Sequence, residues 1–268
     1  MDKFKQFYES THTFKPYEKK AVAGVANHFN KALILRRLAQ KLAPNLKIDN
    51  EELNTKKVTS AEHSQEFSAV VEEVFTELYS SVDCTQKVLY AIYKGIRNLP
   101  ESTRRTFDRA FKGEIGDDFP PQLLLALQSA TWFNEIRSIR DELTHATIGS
   151  CHLDDKTNKI SYVHHGIQKN GTVLMIDDVF AELDEFAQQI NIFIGLIFHH
   201  LNAQLVPTPT DVVCGFWADR VYARKIEIAD HIDFNSGVCQ SNHWFDQDPI
   251  RRCPFADGCG AYARAKEI

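Results

Sequence analysis

An apolar stripe through residues 61–98 constrains this chain more than any other feature. Phe67, Val70, Val71, Val74, Phe75, Leu78, Tyr79 and Val82 recur at three- and four-residue intervals, and Val88, Leu89, Ala91, Ile92 and Ile96 continue the pattern. That is the repeat of one helix face. A strand, with a repeat of two, cannot collect this set on one side. A helix of such length must bury its stripe against other helices, so the chain is expected to build a helical bundle. With 268 residues, 43% of them hydrophobic, it has the material for one large domain and a small appendage.

Other helices follow from the same repeat. Residues 17–42 carry Val22, Val25, Phe29, Leu33 and Leu38, and Pro44 ends the run. Residues 45–57 read as polar and irregular. Thr59 or Ser60 is expected to cap the long helix, and Pro100 to close it. A shorter helix spans 101–112, before an acidic turn at 113–118. Pro120 and Pro121 suit a first helical turn, opening a helix that runs to about Thr147, with Gly149 as its stop.

The repeat then shortens to two. Residues 151–153, 159–164 and 172–176 read as strands, turning at 154–158 and at Asn170-Gly171, a hairpin signal. Asp177 and Asp178 cap a last apolar helix over 179–205, and Pro207 and Pro209 mark a boundary. Three segments result: an N-terminal helix and linker at 1–59, a helical bundle at 60–206 with a β-meander at about 150–176, and a Cys-containing subdomain at 207–268, with one strand at 220–228.

No apolar leader follows Met1, and the longest apolar run, residues 190–201, falls short of the ~20 residues that span a bilayer. A cytoplasmic protein without membrane partners is expected. The net charge of -5 argues against indiscriminate coating of nucleic acid. Lys87, Lys94, Arg97, Arg104, Arg105, Arg109 and Lys112 nevertheless concentrate basic charge in one stretch. They form either a phosphate-holding patch or an ordinary solvated face.

The helix that ends near Thr147 carries the chemistry. In projection, at ~100° per residue, Trp132, Ile136, Ile139 and Leu143 form its core stripe. Asn134, Asp141 and His145 fall roughly opposite, with Arg137 between. Arg140 sits at the flank, from which its long side chain can reach outward. A convex helix face is a poor active site. A second copy packed across it would make a cleft, so a homodimer with two Arg-His pairs at the interface is expected.

Arg140-Asp141-Glu142-Leu143-Thr144-His145 resembles the R-x-x-x-x-H motif of the HEPN superfamily, in which a polar residue, most often Asn, follows the arginine. The resemblance covers roughly residues 60–205. It implies a metal-independent endoribonuclease, often a toxin of a toxin–antitoxin pair or an effector of phage defence, with RNA as substrate and an antitoxin or inhibitor protein as partner. Some members are instead non-catalytic nucleotide-binding or protein-interaction modules. Arg140 would hold the scissile phosphate by a guanidinium fork, His145 would move protons, and Asp141 would orient the imidazole. Asn134, Arg137 and Thr144 are secondary RNA-binding candidates. Two features depart from the family: Asp141 stands where Asn is usual, and the meander is an insertion.

The tail holds a second candidate site. Cys239, His243, Cys253 and Cys259 lie within a short span, a donor set suited to a structural zinc. Neither pair has C-x2-C spacing, so free cysteines packed as small hydrophobes remain the alternative. Cys214 could replace His243 as the fourth ligand. His164 and His165 alternate across a strand and cannot share a face. No phosphate-binding glycine loop, G-x-S-x-G or H-E-x-x-H occurs.

Overall fold

A computed structural model describes residues 1–145, 148–169, 172–233 and 235–268, with the side chains of His145, Gln168, Lys169 and Asp246 outside the description. The fold is mainly helical, with two three-stranded antiparallel sheets. In chain order the helices are α1 (Asp2–Thr11), α2 (Pro16–Leu42), α3 (Leu46–Lys56), α4 (Glu62–Tyr93), α5 (Thr103–Lys112), α6 (Pro121–Ser129) and α7 (Phe133–His145). Strands β1 (Ser150–Leu153), β2 (Ile160–Lys169) and β3 (Thr172–Ile176) follow, then α8 (Val179–Ala203), β4 (Thr210–Trp217), β5 (Arg220–Ile226), β6 (Val238–Cys239), α9 (His243–Gln247) and α10 (Gly260–Ala265). Two compact units result, Lys15–Ile197 and Met1–Phe14 with Phe198–Ile268. Among the described residues no helix is long and apolar enough to cross a membrane.

In the larger unit α2 and α4 run antiparallel in close contact. His28 Nδ1 lies 2.7 Å from Glu77 Oε2, and Lys31 reaches Glu73 at 2.8 Å. A Cβ on Gly24 would fall 2.6 Å from Cys84 Sγ, so the helices approach where α2 has no side chain. The stripe of α4 is the core: Phe67, Val71, Phe75, Leu78, Val82 and Leu89 are all buried. Arg36 clamps α2 to α8 by a two-pronged bond to Asp184, at 2.9 and 2.8 Å.

Three stretches of the chain depart from expectation. Residues 45–57 are not irregular: nearly all of them form α3, which lies against α4 and buries Leu46 and Asp49. Its Asp49 also overturns the expected cap. The residue at the N-cap position of α4 is Ala61, which makes no side-chain cap bond. Instead Asp49 Oδ2 accepts the Ser64 N–H at 2.7 Å and the Ser64 hydroxyl at 2.9 Å. Thr59 accepts the Ala61 N–H, just ahead of the helix.

The second correction concerns the helix drawn from Pro121 to about Thr147, whose expected end lies outside the described residues. It is two helices. Ala130 leaves the helical region with ψ 57, and Ser129 turns its hydroxyl onto the Ala126 carbonyl at 3.0 Å. Small polar side chains that bond local backbone compete with helix in this way. The break brings Phe133 face to face with Phe107, ring centroids 3.7 Å apart. Phe133, Ile136 and Ile139 are the fully buried face of α7, while Trp132 and Leu143 are only half-buried.

Strands β1–β3 form the expected meander. Cys151 pairs with Tyr162 and Leu153 with Ile160, and β2 extends beyond its expected end, past a bulge between His164 and Gln168. The Asn170-Gly171 turn lies outside the described residues. His164 is buried and His165 exposed. Asp178 accepts the Ala181 N–H at 3.2 Å, as an α8 cap should.

In the smaller unit the third correction appears. The tail holds three strands rather than one, in the order β4-β5-β6. Residues 210–217 alternate burial only weakly, so their pattern does not announce a strand. Around this sheet Tyr222, Phe245, Ala256 and Tyr262 form a small core.

Candidate functional site

Arg140 leaves the solvent side of α7 with its guanidinium over the ring of Tyr79, 5.0 Å from the centroid. Tyr79 belongs to the buried stripe of α4 and stacks on Phe133, centroids 6.1 Å apart. The arginine is therefore held by an aromatic platform rooted in the core. Its Nη1 donates to Asp141 Oδ1 at 2.9 Å. The pair is not sealed, since Arg140 is 35% and Asp141 45% exposed. Burial pushes the Tyr79 hydroxyl above its ordinary range; Asp83 and Asp141 push the same way, while Arg140 and Arg137 oppose.

The remaining motif residues are placed as follows. His145 is the last residue of α7, and its side chain lies outside the described residues. Thr144 is exposed, but its hydroxyl donates to the Arg140 carbonyl at 2.8 Å. Asn134 is exposed at the other end of α7. Arg137 is half-buried, and its Nε lacks a partner among the described residues. The fold thus joins Arg140 and Asp141 directly. In the basic stretch, Lys87 pairs with Asp83 at 2.6 Å and Arg104 with Asp108 at 3.7 Å, which mutes part of its field.

Glu72 on α4 is buried. It accepts the Gly149 N–H at 2.6 Å and the Tyr162 hydroxyl at 3.0 Å. Burial raises its carboxyl above the ordinary range, although both bonds and His164 oppose the rise. Sequence reasoning missed Glu72 and Tyr79. Both sit within the helical repeat and look like ordinary members of it.

The cysteines form the other candidate site. Cys239, Cys253 and Cys259 all line one cavity of about 120 Å³, and Cys214 is its fourth thiol. His243 does not line it; this residue is exposed at the start of α9, with its ring against Trp244, centroids 5.1 Å apart. None of the four cysteines is in a disulfide. Among the described residues, no three His, Cys, Asp or Glu side chains gather closely enough to hold one metal ion.

Two local devices aim these thiols. Val213 pairs with Ala223 and Gly215 with Tyr222, so Cys214 is the extra residue of a β-bulge. Bulges redirect a side chain from the strand's ordinary alternation. Gly237, with φ 76, lets β6 return beside β5, where Cys239 pairs with Arg224. A Cβ there would lie 2.2 Å from the Lys225 carbonyl oxygen. Burial raises the Cys239 thiol, and the nearby backbone of Ser241 and Asn242 opposes that rise. Burial also raises Cys214, where nearby Arg224 opposes.

No family model, no curated protein and no solved structure matches this chain.

Proposed function

We propose that the protein is a metal-independent endoribonuclease of the HEPN type, acting as a dimer through Arg140 and His145 of α7. The observation that carries this reading is the setting of Arg140: a half-exposed guanidinium braced on a core aromatic, on the helix that ends in His145. With Nη1 engaged by Asp141, the Nε–Nη2 edge of the fork is the one offered to a phosphate.

The chemistry asks little more of the protein. The ribose 2′-oxygen attacks phosphorus as an imidazole takes its proton, and the P–O5′ bond breaks as the leaving oxygen gains a proton. Arg140 balances the charge gathering on the phosphoryl oxygens. The products are a 2′,3′-cyclic phosphate and a 5′-hydroxyl. Asp141, to which the motif gives the orienting of the imidazole, also braces the guanidinium.

The same Arg140–Asp141 pair favours a second reading. A carboxylate at this position partly neutralises the cation, as would suit a non-catalytic nucleotide-binding or protein-interaction module. Incubating the purified chain with RNA in EDTA separates the two. Cleavage that is lost in His145→Ala supports the nuclease; nucleotide binding without any cleavage supports the module.

A further inference from the structure

We propose that Arg137 is a second phosphate-holding residue of α7, gripping the RNA phosphate next along the strand from the one that Arg140 holds. The role depends on RNA being the ligand, as proposed above, but not on its cleavage. Arg36, Arg109, Arg137 and Arg140 are the half-buried arginines of the larger unit. Arg36 is bonded to Asp184, Arg109 donates to the Asn98 carbonyl at 3.0 Å, and Arg140 donates to Asp141. Arg137 alone hydrogen-bonds to none of the described residues, and its Nε is sealed from solvent. An N–H left buried without an acceptor costs free energy. An incoming anion would supply the acceptor, and a half-buried side chain is still open to one.

The nearest internal candidate is engaged elsewhere. Asp141 stands four residues after Arg137, the spacing of a helical ion pair. Its Oδ1 accepts instead from Arg140 Nη1, at 2.9 Å. Both guanidiniums act on the Tyr79 hydroxyl, so both charges lie within reach of that phenol. Arg137 and Arg140 are three residues apart on α7, which makes them neighbours on one face, with Cβ atoms about 5–6 Å apart. Two such cations repel each other, and a strand carrying a phosphate to each relieves that repulsion. The planar fork of each suits a phosphate's paired oxygens. Arg137 then aligns the strand one turn from the scissile phosphate and touches none of the reacting atoms.

The test titrates the full chain with a single-stranded RNA oligonucleotide whose 2′-oxygens are methylated, so that it binds but cannot be cut. Arg137→Gln should weaken binding by about tenfold or more, the scale of a lost charge-assisted hydrogen bond. The slope of log affinity on log salt should flatten by about 0.7, the share of one phosphate contact on a single strand. Arg137→Lys should restore the slope, because it keeps the charge. With unmodified RNA, KM should rise in Arg137→Gln while kcat stays at the parent's value. Unchanged affinity and slope in Arg137→Gln overturn the proposal, as does a parent chain that binds no oligonucleotide. Equal flattening in Arg137→Lys also overturns it, since packing rather than charge would then be at work. A parent that binds the oligonucleotide but leaves unmodified RNA intact ends the nuclease reading alone. Even if Arg137→Gln fails to fold, the Arg137 Nε–H resonance of the parent, assigned by its loss in Arg137→Lys, should shift as the oligonucleotide binds; a fixed resonance refutes the contact.

Discussion

The guanidinium carbon of Arg140 lies 5.0 Å from the centroid of the Tyr79 ring, joining the exposed face of α7 to the core of α4. The contact needs a ring, not a hydroxyl. Tyr79→Phe should therefore leave RNA cleavage unchanged. Arg140→Lys should lower kcat by about a hundredfold, because an ammonium lacks the planar fork. Asp141→Asn should tighten RNA binding by removing a charge that competes with phosphate for Arg140. Cleavage rates and RNA titrations check all three. An Arg140→Lys protein with the parent's rate would refute the role given to the fork.

Glu72 should make stability depend on pH in an unusual direction. Its carboxyl is held above the ordinary value of 4.5, so the folded state binds its proton more tightly than the unfolded chain does. The stabilisation is complete below that ordinary value and is lost as pH rises through the higher folded one. Glu72→Gln keeps an acceptor for Gly149 and Tyr162 but cannot ionise. Its melting temperature relative to the parent should climb as pH rises from acidic to neutral. A constant difference across that range would contradict the buried, proton-favouring site.

Asp49 caps a helix to which it does not belong. Asp49→Ala should lower stability by about 1 kcal/mol, the ordinary cost of a lost N-cap acceptor, whereas Asp49→Asn should lose less. Denaturant titration measures both. Equal losses in the two variants would show that charge, not the accepted hydrogen bonds to Ser64, carries the effect.

Gly237→Ala should strain the smaller unit at one point. The new methyl would meet the Lys225 carbonyl while the backbone stays at positive φ. A loss of about 1–3 kcal/mol is expected. Hydrogen exchange should rise at residues 222–226 and 238–239 and stay unchanged in α4. Unchanged exchange in β5 and β6 would show that the turn relaxes freely.

Periodicity and local caps were readable along the chain. The stripe from Phe67 to Leu89 is buried as its spacing requires, and Asp178 caps α8 from the adjacent position. Both depend on residues within a turn or two of one another. The divided helix at Ala130 escaped notice because the apolar repeat carries on through residues 121–139, while the ring contacts that accompany the break, Phe133 on Phe107 and on Tyr79, join residues far apart in the chain. Strand β4 escaped because both of its faces look alike in polarity.

What the amino-acid order determined by itself was the helical class, the meander and the presence of an Arg-x4-His helix and a Cys-rich tail. Short-range sterics and the burial of periodic apolar residues suffice for those. Only the tertiary structure decided that Asp49 caps α4, that Tyr79 braces Arg140 and that Cys214 rather than His243 joins the other three thiols. Each of these unites residues far apart in the chain, and such distances are set by packing, which no local pattern encodes.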